Sequence, residues 1–211
     1  ASPARLSFDS INSMTTAWNF VETMDAHPLP QTIIDVGANR SQMTRLLLLN
    51  CPDETSIFSF EPNPNLKPLG VVFNIALANR DASSKFFIPK QDDGWATLHP
   101  AEHEPSNEKY RVIDVEVSRF ESLVEKGRFP WKEMRRPVLL KVDTEGNELP
   151  VLQGFGGCLN EVDFVMLEVG NTDRETRDSD LFEILRLLSG FGFDRSRVLY
   201  AAHDVLGAPA Y

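Results

Sequence analysis

The sequence predicts an α/β domain built around a mainly parallel sheet. Short runs rich in β-branched residues, such as 32–36 and 138–142, alternate with segments whose apolar residues recur at helical spacing. This alternation is typical of βαβ units, in which helices cover a parallel sheet. The chain has 211 residues, which suits one compact domain that buries its own core.

The predicted strands are apolar runs bounded by turn residues, and the predicted helices carry apolar residues three or four positions apart. Residues 1–30 are expected to form a helical lead-in that ends at Pro28, and residues 31–211 to form the domain. Strands are expected at 32–36, 56–60, 71–75, 85–88, 111–117, 138–142 and 162–168. Helices are expected at 43–50, 119–127 and 180–189, and a polar loop at 89–110.

Composition excludes several classes of protein. Acidic residues exceed basic ones by 31 to 21, and the net charge of −10 disfavours binding to nucleic acid. Cys51 and Cys158 form no CxxC pair, which argues against a zinc site or a disulfide framework. No apolar run reaches the ~18 residues of a membrane span, and the first residues do not resemble a signal peptide, so a cytoplasmic location is expected.

The first motif is the turn that follows the first predicted strand. Gly37 allows a sharp turn and a close approach of a ligand to the backbone, and Asp35 lies at the strand end. The GxGxxG pattern of dinucleotide-binding turns is absent, and an acidic residue there would repel a pyrophosphate. The turn therefore suits a ligand with an amine or a sulfonium, although a plain strand-turn-helix junction with a capping Asp35 would explain it as well.

The second motif is Phe60-Glu61-Pro62-Asn63-Pro64, at the end of the second predicted strand. Glu61 lies 24 residues after Gly37, close to the ~20-residue spacing at which an acidic residue binds a ribose diol. A carboxylate accepts both hydroxyl protons at once. The alternative interpretation is a solvated turn.

The third motif runs from Lys141 to Glu148 and carries three carboxylates, at Asp143, Glu145 and Glu148. Strand alternation puts Lys141 and Asp143 on one face. Carboxylates this close repel one another unless a cation or a shared proton lies between them. A carboxylate at a strand end could orient a hydroxyl or accept its proton.

In this order, the three motifs resemble the FkbM-like family of S-adenosylmethionine-dependent methyltransferases. The resemblance extends to the Thr97-Leu98 pair and to a late strand that ends at Glu168. At position 41 the family usually has glycine where this chain has serine. A Cβ there would crowd the cofactor if the position needs a positive φ.

The resemblance implies a Rossmann-like class I methyltransferase fold, with helices on both faces and a last, antiparallel strand within 191–201. It implies S-adenosylmethionine as cofactor and O-methylation of a hydroxyl on a sugar-containing or polyketide-like natural-product acceptor. The residues expected to bind the cofactor are Asp35, Gly37, Asn39, Ser41, Glu61, Pro62, Asn63 and Asn74. The turn 79–81 is a second candidate for the adenine contact.

On the acceptor side, the residues expected to act are Asp143 and Glu145. Asp143 is the first choice for the base, Glu145 the second, and His99 or His103 the third. No metal ligand is assigned, but one hypothesis is that Asp143, Glu145 and Glu168 hold Mg²⁺. The alternative function is a non-catalytic, partner-binding module, which the serine at position 41 keeps open. The sequence specifies neither the acceptor nor the oligomeric state.

Overall fold

The structure is a computed structural model that describes residues 19, 28–91, 96–98, 109–169, 181–197 and 199. Its strands are β1 (Thr32–Val36), β2 (Ser56–Phe60), β3 (Val71–Phe73), β4 (Ile75–Leu77), β5 (Ala82–Pro89), β6 (Tyr110–Ser118), β7 (Val138–Val142) and β8 (Phe164–Leu167). Its α-helices are α1 (Gln42–Leu48), α2 (Phe120–Glu125), α3 (Glu148–Phe155) and α4 (Leu181–Gly190). Two 3₁₀ helices cover Trp131–Glu133 and Gly156–Glu161.

Five strands form a parallel sheet in the order β3-β2-β1-β7-β8. The chain order reverses at β1, so β1 and β7 lie at the centre and the topological switch point falls between them. Ligands of open α/β sheets bind beyond the carboxyl ends of the strands at such a point. A smaller sheet, ordered β4-β6-β5, pairs β6 parallel with β4 and antiparallel with β5.

Helices cover both faces of the large sheet, as the fold class predicts. On one face Ile34 and Leu140 pack in the main core together with α2, α3 and α4. On the other face Ile33 and Leu139 pack with Leu47 of α1. All residues of β1 and β7 are buried, which explains why their sequences are mostly apolar and do not alternate between apolar and polar residues.

The structure differs from the sequence predictions at three elements. The strand expected at 71–75 divides at Asn74 into β3, in the large sheet, and β4, in the small one. Helix α3 was not predicted, because it begins inside the third motif and carries Pro150 in its first turn, a position that tolerates proline. Residues 191–197 contain no strand, so the antiparallel strand expected within 191–201 is absent from the described part of that segment.

Of the predicted lead-in, only Asn19 and residues 28–30 belong to the described part of the chain. Asn19 is helical, and its side-chain amide donates a hydrogen bond to the Leu199 carbonyl at 2.6 Å. The division at residue 30 stays a prediction. None of the helices in the described ranges has the length and apolar character needed to cross a bilayer.

Candidate active site

A cleft opens at the carboxyl ends of β1, β2 and β7, between the two sheets. Its polar lining comes from the strand-end loops of the large sheet, and its apolar lining comes largely from β4, β5 and the segment 96–98. The polar residues are Asn39, Glu61, Asp143, Thr144, Glu145 and Asn147. The apolar side chains include Ile75, Leu77, Phe86 and Leu98. The cleft therefore has a polar, charged side, which we call its floor, and an apolar side, which we call its roof.

The turn after β1 forms one wall of the cleft. Gly37 has a φ of 73°, a left-handed conformation that glycine adopts without steric cost. The Gly37 and Ala38 amides donate hydrogen bonds to the Phe60 carbonyl at 3.0 and 3.2 Å. A Cβ on Gly37 would lie 1.8 Å from the Asp143 carbonyl oxygen. Position 37 requires glycine for two reasons: its φ is positive, and its backbone lies in close contact with the loop after β7.

Glu61 links this turn to the end of β2. Its Oε2 accepts a hydrogen bond from the Asn39 amide and its Oε1 one from the Asn63 amide, both at 2.8 Å. Burial raises the pKa of Glu61, and the two amide hydrogen bonds act in the opposite direction. Because a carboxylate has about four acceptor positions, each oxygen can accept one further hydrogen bond from a ligand in the cleft.

Asp35 was predicted to contact the ligand, but its side chain is fully buried and does not line the cleft. Its Oδ2 accepts a hydrogen bond from the Thr44 hydroxyl at 2.6 Å, and its Oδ1 one from the Lys141 ammonium at 3.0 Å. Both oxygens are thus occupied by protein groups. Asp35 acts on the cleft from behind, through its ion pair with Lys141 and through its charge, which contributes, after burial, to the raised pKa of Glu61.

Ser41 has a φ of 57°, so the position does need the left-handed conformation. The side chain nevertheless points away from the cleft, because it is buried and its Oγ accepts a hydrogen bond from the Leu69 amide at 3.0 Å. The serine therefore contributes a contact to the loop before β3 and does not narrow the cleft. Whether this serine affects cofactor binding stays a prediction, and the cleft lining gives it no support.

Three further residues predicted to bind the cofactor have different surroundings. Pro62 lines the cleft, whereas Asn63 is buried behind it and Asn74 is exposed. The Asn74 amide donates a hydrogen bond to the Glu61 carbonyl at 3.0 Å, at the point where the chain passes from β3 to β4. In the 79–81 turn, Asp81 accepts hydrogen bonds from Ser118 and from the Arg119 amide before α2, which indicates a structural role.

Lys141 and Asp143 lie side by side at the end of β7. The Lys141 ammonium is 3.4 Å from Asp143 Oδ2 as well as 3.0 Å from Asp35 Oδ1. Burial lowers the pKa of Lys141, but the charges of Asp35 and Asp143 outweigh it and raise the pKa above its usual range. Asp143 lines the cleft with 32% of its side chain exposed. It is therefore a carboxylate that meets both the cleft and a buried cation.

The other two carboxylates of the third motif have different surroundings. Glu145 lines the cleft in a left-handed conformation, with φ 55°, and its carbonyl accepts a hydrogen bond from the Thr97 hydroxyl at 3.2 Å. Glu148 is buried, and its Oε1 accepts hydrogen bonds from the Thr144 amide and hydroxyl and from the Gly146 amide. Glu148 holds the loop in shape, while Asp143 and Glu145 face the cleft.

No group of three or more His, Cys, Asp or Glu within the described ranges is arranged to hold a metal ion. The hypothesis of Mg²⁺ held by Asp143, Glu145 and Glu168 thus gains no support. His99 and His103 lie outside the described residues. At the end of β8, the charge of Asp143 and, second, burial raise the pKa of Glu168 to about 7.

Sequence reasoning missed Asn147 and the apolar roof. The Asn147 amide donates a hydrogen bond to the Leu77 carbonyl at 2.9 Å and so joins the loop after β7 to the small sheet. Its place inside the third motif, directly before Glu148, was the available signal. Ile75, Leu77 and Phe86 gave none, because their role depends on a second sheet that the sequence pattern did not indicate.

Residues 35–195 match the model of the methyltransferase FkbM domain. The chain belongs to this family. The Rossmann-like fold and the family resemblance of the ordered motifs are both confirmed, and the match places the cleft within a methyltransferase domain.

One relative of this FkbM domain is the hexuronic acid methyltransferase AglP of Haloferax volcanii, which is 29% identical over 144 residues. The aligned region covers 64% of this chain and 54% of AglP. The chain thus spans about half the length of this curated relative. No solved structure matches the chain at a significant level.

Proposed function

We propose that this FkbM domain transfers a methyl group from S-adenosylmethionine to a hydroxyl of a sugar-containing or natural-product acceptor. The observation that carries the proposal is the cleft itself, in which Gly37 and Glu61 face Asp143 and Glu145 across the switch point of the sheet. A sugar-related acceptor is supported by the name of AglP, a hexuronic acid methyltransferase.

The cleft residues fit this cofactor. Glu61 has acceptor capacity left on both oxygens for the two ribose hydroxyls. Gly37 presents backbone without a side chain, and the apolar side chains of Ile75 and Leu77 offer a surface for a flat base. Carboxylates at Asp143 and Glu145 suit a neighbouring cation. When bound, the cofactor supplies a methyl group already activated by a positively charged sulfur.

Because the methyl group is activated, the protein has two remaining tasks, which are to align the acceptor oxygen and to accept its proton. Asp143 is the residue we assign to the proton, since it lines the cleft and is held by Lys141 from behind. Glu145 lies next to it, on a loop tied to segment 96–98 through Thr97. We assign Glu145 to orienting the acceptor.

Calorimetric titration of the purified chain with S-adenosylmethionine, S-adenosylhomocysteine and NAD tests the cofactor. We expect the first two to bind and NAD not to bind. The Glu61→Gln variant should bind S-adenosylmethionine roughly 10-fold to 100-fold more weakly, because a charge-assisted hydrogen bond contributes about 1.5–3 kcal/mol. Glu133→Gln, which removes an exposed carboxylate outside the cleft, is the matched control. Preference for NAD, or equal binding by Glu61→Gln, would refute the assignment.

Transfer itself is tested with S-adenosylmethionine labelled in its methyl group and a set of glycosides and polyketide-like alcohols. Label should appear in a methyl ether of at least one acceptor, and Asp143→Asn should abolish the transfer while retaining cofactor affinity within a few-fold. If none of the three cofactors binds, the alternative function as a partner-binding module replaces this proposal.

A further inference from the structure

A row of charged side chains crosses the centre of the large sheet. Asp35 on β1 lies opposite Lys141 on β7, and Asp143 follows Lys141 two positions later. The pairing of Val142 with Leu167 continues for one residue, since the Glu168 amide donates a hydrogen bond to the Val142 carbonyl at 3.0 Å. Glu168 therefore lies beside Asp143. We call Asp35, Lys141, Asp143 and Glu168 the charge row.

The charge row holds three carboxylates and one ammonium. Lys141 is shared between Asp35, at 3.0 Å, and Asp143, at 3.4 Å, and Asp35 has no exposed surface. When two carboxyl groups are neighbours, the charge of one disfavours ionisation of the other. The pair therefore loses its second proton only at a higher pH than an isolated carboxyl group would. The two carboxyl groups lie on neighbouring residues of paired strands, and the charge of Asp143 raises the pKa of Glu168, so the pair favours a state in which one proton is held between them.

Asp143 and Glu168 differ in their exposure to the cleft and to solvent. Asp143 lines the cleft, whereas Glu168 does not line it and is exposed to solvent. The pair thus connects the cleft to water at the ends of β7 and β8. The remaining charged groups that act on Glu168 in the described part of the chain are Lys141, which lowers its pKa, and Glu148 on α3, which raises it.

We propose that Asp143 and Glu168 share one proton, and that Glu168 is a positioning residue that makes Asp143 a base strong enough to deprotonate the acceptor hydroxyl. This inference rests on the proposed function and adds a second residue to it. A base is most effective when its conjugate acid titrates near the working pH. Glu168 brings a second negative charge next to Asp143, and a like charge favours the protonated form of a carboxyl pair.

The proposed step transfers one proton and one methyl group. The acceptor hydroxyl proton moves to the ionised Asp143 carboxylate as the new oxygen–methyl bond forms. The sulfur–methyl bond breaks at the same time, and the sulfur keeps the electron pair, so the positive charge of the donor is neutralised. The proton then becomes the one shared with Glu168, and it leaves to water from the exposed side of the pair.

A carbon-13 NMR titration of side-chain carboxyl groups tests the shared proton without cofactor or acceptor. In the wild-type chain the Glu168 carboxyl group should titrate with a midpoint near its pKa of about 7. In Asp143→Asn the Glu168 midpoint should fall toward the ordinary value of about 4.3. The control Glu133→Gln should leave the midpoint unchanged. A wild-type midpoint for Glu168 near 4.3, or one that Asp143→Asn does not move, overturns the proposal.

The pH dependence of turnover tests the catalytic part. Glu168→Gln keeps the shape of the side chain but removes its charge, so the acid limb of the rate profile should move at least one pH unit lower. The rate at pH 8 should fall about tenfold, and the affinity for S-adenosylmethionine should stay the same. An unmoved acid limb overturns the role of Glu168. If the NMR titration shows the shared proton but no acceptor is methylated, the proposed function fails while the proton sharing stands.

Discussion

Replacing Gly37 with alanine should destabilise the fold more than the same change at Gly127 or Gly154, and the structure supplies these two controls. Gly37 combines a φ of 73° with a contact, since its Cβ would lie 1.8 Å from the Asp143 carbonyl oxygen. Gly127 has a similar φ of 67° but no atom within 4 Å of its Cβ position. At Gly154, whose φ is not in the left-handed region, the Cβ would lie 2.0 Å from the Ala78 carbonyl oxygen.

These three sites separate the two costs. A left-handed conformation costs a non-glycine residue about 1–2 kcal/mol, which is the full effect expected for Gly127→Ala. Forcing an atom into a packed contact costs about 1–3 kcal/mol. At Gly154, inside α3, this cost is partly offset by about 1 kcal/mol of better helix propensity. Gly37→Ala carries both costs, so we expect a loss of about 2–5 kcal/mol in the free energy of unfolding.

Urea unfolding followed by circular dichroism measures all three variants under one set of conditions. The Gly37→Ala protein that remains folded at equilibrium should also bind S-adenosylmethionine more weakly than the wild type. The reason is that the added methyl group pushes the turn away from the loop after β7. Equal unfolding free energies for Gly37→Ala and Gly127→Ala, within about 0.5 kcal/mol, would show that the turn does not press on Asp143. The close contact between the two walls of the cleft would then have to be abandoned.

Three further changes test other contacts. Ser41→Ala removes the acceptor of the Leu69 amide, and urea unfolding should show a free energy of unfolding that is lower by about 1–2 kcal/mol. Ser41→Gly removes the same acceptor but also relieves the positive φ of 57°, so its loss should be smaller. The Arg119 amide and, second, Lys126 hold the pKa of Asp81 well below its usual range. Asp81→Asn should therefore lower the urea midpoint at pH 7, by an amount that stays constant above about pH 5 and shrinks below it as the carboxylate of the unfolded wild-type chain takes up a proton. Thr97→Val removes the hydrogen bond to the Glu145 carbonyl and should raise KM for the acceptor about fivefold in steady-state assays, without changing cofactor affinity.

The central strands could be predicted from sequence because burial alone determines their pattern. β1 and β7 are buried on both faces, and such strands appear as short aliphatic runs. The division at Asn74 could not be predicted in this way, because residues 71–75 form one apolar run in the sequence. The chain changes sheets where the Asn74 amide binds the Glu61 carbonyl, and that contact depends on the placement of β2.

The carboxylates of the third motif show the same limit within the site. Asp143, Glu145 and Glu148 are chemically equivalent in the sequence, and the fold gives them different surroundings. The left-handed backbone at Glu145 and the start of α3 at Glu148 turn the chain between them. As a result Glu148 binds the amides of its own loop, while Asp143 and Glu145 line the cleft.

Asp35 is the residue whose predicted place changed most, and its buried position determines how the ammonium of Lys141 is shared. Its partners are Thr44, nine residues away, and Lys141, 106 residues away, so only the assembled sheet reveals them. Lys141 is closer to Asp35 than to Asp143, and the charge of a fully buried carboxylate is screened less than that of a partly exposed one. Asp35 therefore draws the single ammonium of the charge row away from Asp143. Asp143 therefore lines the cleft with a shared ammonium on one side and Glu168 on the other, contacts that the lysine two residues before it does not reveal in the sequence.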